Sequence, residues 1–178
     1  MFEDDHNEPS ADPCPLALSQ IIRVPERLVG LGFRHWFAGY QSGDVHCWET
    51  AWGVYERALG EKGARLAVAE LSSWVKAVRA SARRDITVFH GDCRSFCRDE
   101  CLAVAMVAAC QHNTCPALKA CTFALIESSM IDEVMHHTES YSAVMRSLDQ
   151  TLAPQSIRSI GHLAGAQQPA PRLGRALH

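Results

Sequence analysis

Ten consecutive residues from Cys101 to Cys110, CLAVAMVAAC, carry no polar side chain. A helix that is apolar on every side has to be covered on every side, so the other segments must close around this one. The run is well short of the roughly 20 apolar residues that cross a bilayer, and the reading is a buried helix with no membrane span. The same stretch, extended to His90–His112, carries His90, Cys93, Cys97 and Cys101 at its entrance. Thiols and core therefore meet in one element.

The flanking sequence supplies helices to do the covering. From Pro25 to Gln41, Leu28, Val29, Phe33, Trp36, Phe37 and Tyr40 form a wide apolar stripe behind a proline suited to a first turn. Gly30, Gly32 and Gly39 argue against an unbroken helix, because each costs about 1 kcal/mol relative to Ala. Asp44 is placed to cap the next helix, in which Val45, Trp48, Trp52, Tyr55 and Leu59 recur at three and four residues and end at Gly60. A further helix is expected over 61–84, with Arg83 and Arg84 at its cation-favouring end. Ile86–Phe89 is extended in character but has no partner strand, so it reads as a connector. The central helix follows over about 95–112, with Asn113 at its left-handed exit. Thr114 is a cap candidate for the helix bearing Leu118, Cys121 and Leu125. The last long helix has Val134, Thr138, Tyr141, Met145, Leu148 and Leu152 inward and is stopped by Pro154. The fold class is all-α: an antiparallel bundle of five to six helices around a buried central helix.

The 178 residues, 47% of them hydrophobic, fit one domain, assigned to residues 16–153. Residues 1–15 hold five acids and no Lys or Arg and read as a disordered acidic tail, with a short helix expected over 16–23. Residues 154–178 read as a flexible basic tail, with a turn of helix about Ile157–Leu163. Between the tails acids and bases nearly balance, so the broad cationic field that nucleic-acid binding needs is missing. The N-terminus is acidic where a secretory signal would be basic, which predicts a cytoplasmic chain. In that compartment eight cysteines are thiols, metal ligands or catalytic groups before they are a disulfide framework.

The spacing of Cys93, Cys97 and Cys101 limits what they can hold. On one helix the outer two would lie about 12 Å apart, whereas two sulfurs on one zinc lie within roughly 4.6 Å. A shared ion therefore requires the helix to start later, at a Ser95 cap, leaving His90 and Cys93 in the incoming loop and Cys97 in the first turn. His90, Cys93, Cys97 and Cys101 are then the candidate metal ligands, for zinc or an Fe–S cluster. The same placement, with Arg94 and Arg98 alongside, predicts a depressed pKa for Cys97 and a redox-responsive pair with Cys93. Against this stands the habit of free cysteine to pack as a small hydrophobe, the reading favoured for Cys101, Cys110 and Cys121. Cys47 beside His46 is a remote ligand candidate, and His112 a helix-end dipole contact.

Other chemistry fails on inspection. Only EVMH, Glu133–His136, matches the carboxylate–histidine pairs of a di-iron bundle. No H-E-x-x-H, Walker A loop, nucleophile elbow or C-x-x-C-H occurs. Two readings follow. One is an accessory or regulatory binding protein with a Cys/His site at the start of the central helix and a protein partner. The other is a helical interaction module with structural cysteines. A cysteine-dependent enzyme, with His90 as its base, ranks behind both.

Overall fold

A computed structural model describes residues 24–158; the expectations for residues 1–23 and 159–178 lie outside the described residues, while the start of the stretch expected as a flexible tail forms a helical turn, Gln155–Arg158, with Ser156 buried. The described residues form an all-helical bundle of six helices: α1 (Val24–Ser42), α2 (Val45–Ser81), α3 (Arg98–Gln111), α4 (Cys115–Ile126), α5 (Ile131–Ser147) and α6 (Gln155–Arg158). The apolar run behaves as its composition demands. In α3 every residue from Leu102 to Ala109 is buried, and α1, α4, α5 and α6 all pack on it.

Helix ends follow local chemistry. Asp44 caps α2 by accepting from the His46 N–H at 2.9 Å. Within α2, Gly60 leaves helical geometry at φ 72° and ψ 167°, so the long element is two helical pieces joined at the glycine where the aromatic seam was expected to stop. Its second piece ends at Ser81, before Arg83 and Arg84. Asn113 takes φ 54° after α3, and the Thr114 N–H returns to the Ala109 carbonyl at 2.8 Å, closing the C-terminal turn. Thr114 itself makes no capping bond; Pro116 in the first turn starts α4 without it. The last long helix stops earlier than Pro154. Asp149 turns left-handed at φ 60°, the Gln150 N–H bonds to Met145 O at 2.9 Å, and Leu152 is buried from the strand of chain beyond the helix.

The glycines of α1 do not break it. Each sits where a neighbour comes too close for any side chain: a Cβ on Gly30 would lie 2.3 Å from the Phe96 ring, on Gly32 2.3 Å from the Tyr55 hydroxyl, and on Gly39 2.4 Å from the Trp48 indole nitrogen. Through the Gly32 gap the Tyr55 hydroxyl donates to Leu28 O at 2.9 Å and accepts from the Tyr141 hydroxyl. Tyr141 in turn stacks on Trp74 with ring centroids 5.2 Å apart. This buried aromatic group ties α1, α2 and α5 together.

Between α2 and α3 the chain runs from residue 82 to 97 without regular secondary structure. Structureless connections longer than about 12–15 residues are uncommon inside small domains, and the backbone groups of this one need partners from elsewhere.

Candidate functional site

Those partners come from side chains at the start of α3 and on α1. Arg34, fully buried on α1, meets Glu100 through two N–H donors, Nε to Oε1 at 2.7 Å and Nη2 to Oε2 at 3.0 Å. Its remaining donors go to the connecting segment: Nη1 to Cys93 O at 2.6 Å and, at 3.5 Å, to His90 O, and Nη2 to Ser95 O. The guanidinium also lies 5.2 Å from the centre of the Phe96 ring. Glu100 accepts from Phe89 N–H at 3.0 Å and from Cys97 N–H at 2.8 Å. One turn position earlier, Asp99 accepts from Thr87 N–H at 2.9 Å and from the Arg84 guanidinium. Gln41 adds a bond to Ile86 O at 3.0 Å. Buried charge is tolerated only when paired and hydrogen-bonded, and here the pairing and the holding of the segment are one network.

This network decides what the cysteines can do. The central helix begins at Arg98, with Cys97 rather than Ser95 at the cap position; the Ser95 carbonyl is taken by Arg34. Cys97 is 2% exposed and its thiol donates to Thr87 O at 3.1 Å. The expected depression of its pKa is reversed. Burial, then the carboxylate of Glu100, push the thiol from 9.0 up to about 12, against backbone N–H groups of the first turn that pull the other way. The two arginines expected to stabilise a thiolate do not do so: Arg94 is exposed on the segment, and Arg98 places a guanidinium nitrogen 3.5 Å from Asp99.

Of the other candidate ligands, His90 is exposed, with Nδ1 3.8 Å from the Asp92 carboxylate, and Cys93 is half-buried. Cys101 is buried and disulfide-bonded, so it carries no free thiol. Among the described residues no group of three or more His, Cys, Asp or Glu side chains is placed to hold a metal ion. Cys110 and Cys121 have their thiols raised to about 12, in both cases mainly by burial. The His112 ring is used on the Leu152 carbonyl, 2.8 Å from Nε2, where a dipole contact with its own helix was expected.

Sequence reasoning missed Arg34 and His35, and it placed Arg84 at a helix end, whereas Arg84 lies beyond the end of α2 and pairs with Asp99. A signal for Arg34 was present: it lies four residues after Gly30 and three before Phe37, on the inward stripe of α1, where an unpaired guanidinium could not stay.

Two grooves flank the segment, of about 700 and 730 Å³. The first is bordered by Gln41, Asp44, His46, Cys47 and His90. The second is bordered by Arg27, Leu31, Val54, Cys93, Arg94 and Phe96. His35, Gly91 and Asp92 belong to both and form the divide between them. Gly91 is needed there, since a Cβ would lie 3.2 Å from Cε1 of the His35 ring. Among the described residues no helix is long and apolar enough to cross a membrane. Comparison with protein-family models, with curated proteins and with solved structures finds no match to this chain.

Proposed function

We propose that this chain is a small accessory or regulatory binding protein, a helical interaction module in which the Cys97 thiol at the start of α3 serves packing and hydrogen bonding. One observation carries the reading: Arg34, Glu100, Asp99 and Cys97, the groups best suited to chemistry, spend their polar contacts on the chain's own segment 82–97. A thiol held at about 12 beside carboxylates is a poor nucleophile and a poor metal ligand at neutral pH. What the network achieves is the rigid display of an irregular segment on a helical scaffold, the usual arrangement for recognition loops. Arg83, Asp85, Thr87, His90, Gly91, Asp92 and Arg94 are its exposed positions, and a protein partner is the occupant proposed for the stretch from Asp85 to Arg94. Six free thiols among the described residues fit a cytoplasmic location; the Cys101 disulfide points the other way.

The test is cross-linking and affinity capture from native cells with wild type and the triple variant His90→Ala/Asp92→Ala/Arg94→Ala. The reading expects a partner whose cross-links map to residues 85–94 and which the folded triple variant no longer retains. Cross-links that map elsewhere and survive the triple substitution would reject this surface. Stoichiometric metal lost on Cys97→Ser would reject the structural role of the thiol.

A further inference from the structure

His35 differs from the charged and hydroxyl or amide side chains buried around it. Every other buried polar or charged side chain among the described residues makes at least one hydrogen bond: Glu26 to Ala153 N–H, Gln111 to Leu152 N–H and Gln150 O, Thr122, Thr138 and Ser142 to carbonyls, and Arg34, Asp99 and Glu100 as described above. Ser128 and Ser156 do so as well. The His35 side chain has no hydrogen-bond or ion-pair partner among the described residues, although the residue is only 9% exposed. Its ring nitrogens are not among the polar atoms sealed from solvent without a partner, so their hydrogen-bonding capacity is open to the groove that the ring lines.

Arg27, Leu31 and His35 are spaced four residues apart and share one face of α1, forming one wall of the 730 Å³ groove. The opposite wall carries Arg94 on the segment, and Leu31, Val54 and Phe96 provide apolar surface between the walls. Arg27 and Arg94 are exposed and, unlike Arg34 and Arg84, have no acidic partner among the described residues. Two uncommitted guanidiniums, an imidazole with a free ring nitrogen and an apolar bed are what an organic anion requires. Guanidinium binds carboxylate through a two-pronged fork, and the volume falls in the range of about 300–1,000 Å³ usual for small-molecule sites. The fully exposed Asp92 carboxylate at the rim, 3.8 Å from His90, disfavours a multiply charged ligand such as phosphate. A cation would face the two arginines.

We propose that Arg27, His35 and Arg94 form a binding site for a small organic carboxylate, its anionic group held by the two arginines and the imidazole and its apolar body resting on Leu31, Val54 and Phe96. Arg94 also belongs to the surface proposed for a protein partner, so the test uses the chain alone, where failure of that docking surface leaves the result for this site unaffected.

The experiment follows the histidine ring signals of the full chain by NMR during titration with benzoate, acetate, benzyl alcohol and inorganic phosphate. Benzoate is expected to shift the His35 ring signals saturably, with acetate and benzyl alcohol each weaker by about tenfold or more, since each keeps only half of the recognition. Arg27→Gln/Arg94→Gln, two surface changes, should weaken benzoate by at least about tenfold while the remaining histidine signals stay in place. The proposal is overturned if benzoate produces no saturable shift, if benzyl alcohol matches it, if phosphate binds more tightly, or if the double variant binds benzoate unchanged.

Discussion

Arg34 and Glu100, side chains 66 residues apart in the chain, meet through two N–H···O contacts of 2.7 and 3.0 Å, with no solvent exposure on either. This pair fixes the start of α3 against α1, and the donors and acceptors it has left over hold the segment between α2 and α3. Removing one member strands the other as a buried charge. Arg34→Met or Glu100→Leu alone should each cost about 3–5 kcal/mol in denaturant unfolding. The double replacement should cost less than the sum of the two. Limited proteolysis of any folded single variant should cut within 86–97 faster than in wild type, because those carbonyls and N–H groups lose their partners.

The glycines divide into two kinds, and stability measurements can tell them apart. Gly30→Ala and Gly32→Ala press a methyl into the Phe96 ring and the Tyr55 hydroxyl and should destabilise by about 1–3 kcal/mol. Gly53, in the middle of α2, meets only the end of the flexible Arg57 side chain at 3.3 Å. Gly53→Ala should therefore stabilise, by up to about 1 kcal/mol.

The two tyrosine hydroxyls are unequal. Tyr55 donates to Leu28 O, so it must accept from Tyr141. Tyr141→Phe leaves the Tyr55–Leu28 bond intact and should cost about 1 kcal/mol, whereas Tyr55→Phe strands the buried Tyr141 hydroxyl and removes the second bond to the Leu28 carbonyl, and should cost about 1–3 kcal/mol more. Burial is the main cause raising both tyrosines above 10.0, so folding favours their neutral forms. The stability they lend is complete below the unfolded value of about 10 and falls as pH rises beyond it, as unfolding curves taken through the alkaline range will show.

His35 has the opposite sign. Burial first, and then the Arg34 charge, hold its pKa below 6.5 in spite of Glu100 and Asp92. Its contribution is whole above about pH 6.5 and is lost as pH falls below that value toward the folded pKa, because the unfolded chain takes up the proton first. His35→Asn should flatten the stability profile between pH 7 and 5, with the rest of the acid limb unchanged.

Much of the fold can be read directly from periodicity. The apolar run of α3 demanded a covering shell, the spacing of Val134, Thr138, Tyr141 and Met145 marked the inner face of α5, and Gly60 and Asn113 sit at the breaks their conformational freedom suits. What could not be read from local sequence was partnership over distance. Glu100 and Asp99 have the position of dipole-complementing acids, yet their partners Arg34 and Arg84 come from α1 and the end of the α2 connection. The α1 glycines look like breakers until Phe96, Tyr55 and Trp48 are brought against them. Cys97 fails as a thiolate for the same reason: the helix start and the nearby arginines are visible in sequence, but burial and the two carboxylates that outweigh them are set by tertiary packing.

The account rests most heavily on Cys97 being a buried, protonated structural thiol. The direct measurement is the rate of iodoacetamide labelling of each cysteine in the native, metal-free protein at neutral pH, resolved by peptide mass spectrometry. Exposed Cys115 should react at the rate of an ordinary thiol, while Cys97 should stay unlabelled until denaturant unfolds the chain. Labelling of Cys97 in the folded state at a rate matching or exceeding that of Cys115 would contradict the account and return the start of α3 to the class of reactive sites.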